Sequence, residues 1–199
     1  MDYPLDIDLD WFNELSEYPL LIAGPCSAES EEQMLRTAEY LVETKKVSVF
    51  RAGLWKPRTR PGSFEGVGAK GLPWLKKVKQ ETGIKIMTEL ARADHLDSIL
   101  EAGVDMIWIG ARTTTNPFAI EEIASRLKEV DIPVFVKNPL HPDMGLWLGA
   151  LERINKAGVR KLAAIHRGFY PFEKSDLRHI PKWEIPIDLM IRCPGLPLV

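Results

Sequence analysis

The chain has 199 residues, enough for one domain with a sizeable core. Hydrophobic residues make up 45%, charged residues 27% and the net charge is −2, a balance that argues against nucleic acid as a partner. Two cysteines exclude a disulfide framework, no apolar run nears the roughly 20 residues of a membrane span, and the acidic N-terminus is unlike a signal peptide, so a cytoplasmic protein off the membrane is expected. The first apolar run, at 20–23, reads as a strand after a short extension over 1–19. A helix is predicted over 31–45 and the second strand over 47–51. Helices at 73–82, 91–102, 118–129 and 144–157 then alternate with strands at 84–88, 106–109, 134–137 and 162–165. The strand runs are short, rich in Val, Ile and Leu, and bounded by Gly, Pro or charge, as in strands buried on both faces. Gly83, Gly103 and Gly158 stand where helix C-caps belong. A short helical piece near 185–191 and a seventh apolar run at 196–199 close the chain.

This βα rhythm, unbroken by a linker or repeat, predicts a parallel sheet. Polar and small residues cluster after the strands: Gly24-Pro25-Cys26-Ser27, Lys56-Pro57-Arg58-Thr59, Gly110-Ala111-Arg112, Lys137-Asn138 and His166-Arg167-Gly168. A (β/α)₈ barrel, the TIM barrel, brings all such clusters to one mouth, whereas an open doubly wound sheet joins only those near its switch point. No G-x-G-x-x-G follows the first strand, which weakens the open, dinucleotide-binding reading. The expectation is an α/β TIM barrel over 20–199 that ends near its seventh strand, since eight units take about 250 residues.

The strand ends carry Arg51, Lys56, Arg58, Arg112, Lys137 and Arg167. Cations gathered at one mouth repel each other unless anions join them, so one or two small polyanionic ligands are expected. Pro57 and Pro61 stiffen the Lys-Pro-Arg-Thr loop and reduce the cost of ordering it. Cys26 could bind a divalent metal, act as a nucleophile or be an inert buried thiol. Of the four histidines, at 95, 141, 166 and 179, only His166 lies at a strand end, too few for a full metal shell. Glu89, at the end of the third strand, could orient water, accept a proton or pair with an arginine. Trp55, Trp74, Trp108, Trp147 and Trp183 read as core or interface anchors.

Five segments carry a family resemblance. A-G-P-C-S at 23–27, R-A-G-L-W-K-P-R-T at 51–59, I-G-A-R-T at 109–113, V-K-N-P at 136–139 and H-R-G-F at 166–169 occur in that order. From about residue 19 onward the chain resembles type I 3-deoxy-D-arabino-heptulosonate 7-phosphate (DAHP) synthase, also called phospho-2-dehydro-3-deoxyheptonate aldolase. The K-P-R-T loop separates it from the sister 3-deoxy-manno-octulosonate 8-phosphate synthase, whose loop there contains asparagine. The resemblance implies a transferase that condenses phosphoenolpyruvate with erythrose 4-phosphate, the first step of the shikimate pathway toward chorismate and the aromatic amino acids. It implies that Arg112, Lys137 and Arg167, helped by Arg51 and Lys56, hold phosphoenolpyruvate. Lys56, Pro57, Arg58 and Thr59 would form the erythrose-phosphate site, with Lys56 also a proton donor. Glu89 would stand near the attacking water. Cys26 would be the first ligand of a divalent metal, Mn²⁺ ahead of Fe²⁺, Co²⁺ or Zn²⁺. The family's other ligands, a His, a Glu and an Asp, have no counterpart in this sequence, so a C-terminally truncated barrel with little activity of its own is expected. A homo-oligomer (dimer or tetramer) and a fused chorismate mutase domain in the full-length protein accompany the resemblance. The alternatives are the octulosonate-phosphate synthase and a non-catalytic fragment.

Overall fold

The computed structural model describes residues 4–15, 19–58 and 61–199. In chain order the elements are α1 (Asp10–Asn13), β1 (Ile22–Ala23), α2 (Glu31–Glu43), β2 (Val49–Arg51), α3 (Leu72–Thr82), β3 (Lys85–Glu89), α4 (Leu96–Glu101) and β4 (Met106–Ile109). There follow α5 (Ala111–Thr114), α6 (Pro117–Leu127), β5 (Val134–Lys137), α7 (Met144–Lys156), β6 (Leu162–Ile165) and α8 (Glu184–Arg192). They form two compact units, one of residues 13–108 and one of residues 1–12 with 109–199. Among the described residues no helix is long and apolar enough to cross a membrane.

In the unit of residues 13–108, β1 to β4 pair in parallel, with Ala23 opposite Phe50, Arg51 opposite Met87 and Glu89 opposite Trp108. Parallel pairing directs the C-terminal ends of these strands to one side, which is where Cys26, Arg51 and Glu89 stand. Helix α2 starts at Ser30, whose hydroxyl accepts from the Gln33 N–H, while the Gln33 side chain reaches back to the Glu29 N–H. It stops two residues short of the predicted end because Lys45 turns left-handed at φ 56°. Gly83 takes the left-handed cap of α3 at φ 70°. The predicted helix over 91–102 begins late, since Arg92 is extended at φ −145° and Ala93–His95 form a 3₁₀ turn. Strands β2 to β4 are largely buried as expected, but β1 is not, and Leu21 beside it is 41% exposed. The physical reason is that β1 has β2 on one flank and no second partner strand among the described residues of this unit.

In the other unit β5 and β6 pair in parallel over all four residues, from Val134 opposite Leu162 to Lys137 opposite Ile165. Asn116 caps α6 and Asp143 caps α7, each side chain accepting backbone N–H groups of the first turn. Trp147 of α7 is fully buried and donates its indole N–H to the Val136 carbonyl at 3.2 Å, fixing the helix against β5. The N-terminal segment joins this unit: the Asp8 N–H donates to Arg160 and the Trp11 ring meets Phe135 edge-on at 5.6 Å. The four-residue α1 escaped sequence reading because it is too short to show a period. The seventh apolar run lies parallel to β6, with Leu198 bridged to Ala164 and the His166 N–H donating to the Val199 carbonyl at 2.8 Å.

One glycine sets the position of the β1 end. Gly24 has φ 146°, and a Cβ there would stand 2.1 Å from the Arg51 carbonyl oxygen, so only glycine lets the two strand ends approach. Gly24→Ala is expected to lower the unfolding free energy by about 2–4 kcal/mol, measured by urea denaturation. A stability equal to that of the parent would show that the close approach is dispensable.

Candidate active site

Four predicted residues lie together in the unit of residues 13–108. Arg51, the last residue of β2, donates through Nη1 to the Pro25 carbonyl at 2.9 Å. Its guanidinium also lies 4.7 Å from the centroid of the Trp108 ring. The Trp108 indole N–H in turn donates to Glu89 Oε2 at 3.0 Å, and Glu89 is only 6% exposed. Glu89 therefore has a neutral indole as its hydrogen-bond donor rather than the arginine partner that was one expectation. Lys56 Nζ is hydrogen-bonded to the Cys26 carbonyl and stands 3.5 Å from Cys26 Sγ. The Lys56 N–H donates to Glu65 and Arg58 Nε donates to Phe64 at 2.8 Å, so the loop is tied to its own return arm. Pro57 and Arg58 are exposed, and Thr59 lies outside the described residues.

Cys26 is exposed, which removes the inert buried-thiol reading. Partial burial pushes its thiol up, but the Lys56 ammonium and the Arg51 guanidinium outweigh burial and hold it below the ordinary 9.0. Cys193 is the opposite case: it is buried, and loss of water raises its thiol to about 11. The charge field thus makes Cys26 easier to ionise than Cys193. Cys26 could supply one thiolate to a divalent ion, but among the described residues no three His, Cys, Asp or Glu side chains are grouped to hold one. These residues fit one ligand and not a complete metal centre.

The unit of residues 109–199 holds Arg112, Lys137 and Arg167. Arg112 lies on α5 directly after β4, Lys137 ends β5, and Arg167 follows β6 by two residues. Burial, together with the nearby charges of Arg112 and Arg178, pulls the Arg167 guanidinium below its ordinary value. Burial and the same cationic neighbourhood keep His179 below its ordinary value, so its neutral ring can accept from Arg167 Nη2, which it contacts. Arg167 Nη1 is buried with no hydrogen-bond partner among the described residues, and so is His166 Nε2. A buried donor on a cation costs free energy until an acceptor, whether water or an anion, reaches it.

The partners of these cations differ in kind from those of surface cations. Lys79 pairs with Asp105, Lys161 with Asp131, Arg160 with Asp6 and Arg192 with Asp188, all within 3 Å. Arg51, Lys56 and Arg167 are held instead by carbonyls, an indole ring, a thiol and an imidazole. Sequence reading placed the cations but missed Trp108 and His179. Trp108 carries a usable signal, since it sits one residue before the end of β4 and opposite Glu89 in register. His179 carries none, because it comes from an irregular segment 12 residues past Arg167.

The chain is similar to proteins of known kind. The sequence pattern of the DAHP synthetase I family matches residues 13–185. Phospho-2-dehydro-3-deoxyheptonate aldolase of Thermotoga maritima is 35% identical over 170 residues, covering 85% of this chain and 48% of that protein. 2-dehydro-3-deoxyphosphooctonate aldolase of Magnetococcus marinus is 34% identical over 136 residues, covering 65% of this chain and 47% of that protein. The crystal structure of the Thermotoga maritima DAHP synthase matches with a TM-score of 0.75 at 32% identity, over 90% of this chain and 50% of that one. The chain thus spans about half the length of the curated relatives it matches.

The two thiols supply a direct test of the electrostatics. Iodoacetamide at neutral pH is expected to label Cys26 and spare Cys193, with the Cys26 rate inflecting below pH 9.0, read by intact mass against time. Lys56→Met is expected to move that inflection upward. Equal labelling of both thiols would refute the assignment.

Proposed function

The chain belongs to the DAHP synthetase I family, and from that premise we propose that it carries substrate-binding machinery for condensing phosphoenolpyruvate with erythrose 4-phosphate. The observation that carries the reading is the set of strand-end cations held by neutral groups, with a buried Arg167 Nη1 that no described residue satisfies. Such a set matches ligands that bring phosphate and carboxylate charge.

In this proposal Arg112, Lys137 and Arg167 bind the phosphate and carboxylate of phosphoenolpyruvate, with Arg51 and Lys56 in support. Lys56, Pro57, Arg58 and Thr59 take the phosphate of the sugar. The enol carbon of phosphoenolpyruvate bonds to the aldehyde carbon, and Lys56 gives a proton to the alkoxide that forms. Water oriented by Glu89 adds to C2, and inorganic phosphate leaves. Ordering two mutually repelling anions against each other is the main task of the cations. Cys26 is proposed as one thiolate ligand of a divalent cation, Mn²⁺ first. Because the described residues complete no metal centre, the 199-residue chain is proposed to bind substrate and to turn it over poorly by itself.

The octulosonate reading draws support from relatives such as the Magnetococcus marinus enzyme, matched over 65% of the chain. The heptonate reading has the longer match, 85%, and the Lys-Pro-Arg loop. An assay comparing erythrose 4-phosphate with arabinose 5-phosphate separates the two.

Calorimetry of phosphoenolpyruvate with the chain, with and without Mn²⁺, is expected to show micromolar binding. Arg167→Ala is expected to weaken it by roughly 10- to 100-fold, the usual worth of hydrogen bonds to a charged group. Absence of binding in a folded sample would overturn the proposal. Robust turnover with Mn²⁺ would overturn only the claim that the chain is catalytically poor by itself.

A further inference from the structure

Arg167 lies outside β6, yet its backbone N–H is hydrogen-bonded to a buried side chain. Its N–H donates to Asn138 Oδ1 at 2.7 Å. The same Asn138 side chain donates through Nδ2 to the Gly168 carbonyl at 3.0 Å and to the Pro139 carbonyl at 2.8 Å. The Asn138 N–H itself continues the ladder to Ile165 at 3.0 Å. Asn138 is completely buried, so each of these bonds is made away from water. One primary amide thus grips both peptide groups flanking Arg167–Gly168 from the neighbouring strand end. Gly168 has φ 78°, and a Cβ there would meet His179 and Ile180 at 3.1 Å, so the turn it makes is tight and committed.

We infer that Asn138 is a positioning residue for the anion site, setting where Arg167 presents its guanidinium. The inference rests on the proposal that Arg167 binds phosphoenolpyruvate, and adds a residue that the proposal does not use. The side-chain geometry suits the task. A primary amide accepts through its oxygen from one peptide while its NH2 group donates to others. Aspartate would lose the donors and leave a buried charge, and leucine would leave the Arg167 N–H and the Gly168 carbonyl without these partners. Asn138 also follows Lys137 directly. It therefore ties the backbone just past β5 to the turn that carries Arg167.

Two measurements on the 199-residue chain test this. In the unmodified protein the Arg167 amide should exchange with deuterium as slowly as the β6 amides, although it lies past the strand end. Rapid exchange there overturns the inference whatever the ligand chemistry. In Asn138→Ala that protection should fall at least tenfold, and phosphoenolpyruvate binding by calorimetry should weaken by ~10-fold, the scale of one or two lost buried hydrogen bonds. The iodoacetamide rate at Cys26 should stay unchanged, which separates a local loss of position from general unfolding. Arg167→Ala should abolish the further effect of Asn138→Ala, since the second residue acts through the first. Equal affinity in Asn138→Ala and the parent overturns the positioning role while leaving the anion site standing. Parent chain that binds no phosphoenolpyruvate overturns the anion site, and with it the role assigned to Asn138.

Discussion

Arg51, Lys56 and Arg167 are anchored by neutral partners, and the chemistry of the strand ends depends on that choice. A cation paired with a carboxylate has its field largely cancelled, as at Lys79 with Asp105 or Arg160 with Asp6. A cation anchored by a carbonyl or over a ring is equally fixed in place but keeps its charge. Pro25 and Cys26 supply such carbonyls, Trp108 the ring, and His179 a neutral nitrogen. Partial burial raises the Cys26 thiol, but Lys56 and Arg51 bring it below its ordinary value, whereas burial first, then Arg112 and Arg178, lowers the Arg167 guanidinium.

The backbone prepares the arrangement. Parallel pairing directs the chemistry of consecutive strands to one side within each unit, and the few residues past each strand end inherit that placement. Fine positioning then comes from side chains that bond to backbone. Gly24 allows the β1 end to touch Arg51, and Asn138 clamps the turn at Arg167 and Gly168. Trp108 serves twice, packing in the core as expected for a large apolar residue and linking Arg51 to Glu89 through its face and its N–H. These are inexpensive devices, each a hydrogen bond or a missing methyl group, but without them the charges would have no defined geometry.

The last 30 residues have a different surface. Tyr170, Phe172, Leu177, Trp183, Ile187 and Met190 are more than half exposed there, whereas the helices α6 and α7 place their apolar faces inward. The terminal Leu198 bridges to Ala164, so β6 already has a parallel neighbour on its outer flank.

By itself the sequence determined the alternation of strands and helices, the parallel class, the glycines that end three helices and the set of residues at strand ends. Each of these is written in local patterns: short apolar runs, a helical period, glycines with a left-handed φ, and polar residues just past a strand. The family motifs are similarly local, and the family match agrees with them. Only the tertiary structure decided what each of those residues touches. Periodicity cannot say that the partner of Glu89 is an indole 19 residues away on the neighbouring strand, or that Cys26 is exposed between two cations. It cannot say that Asn138, which reads as one polar residue just past a strand, is buried with three side-chain hydrogen bonds. Those outcomes depend on distances between residues remote in the chain, which are set by packing and strand register and have no signature within a window of neighbouring residues.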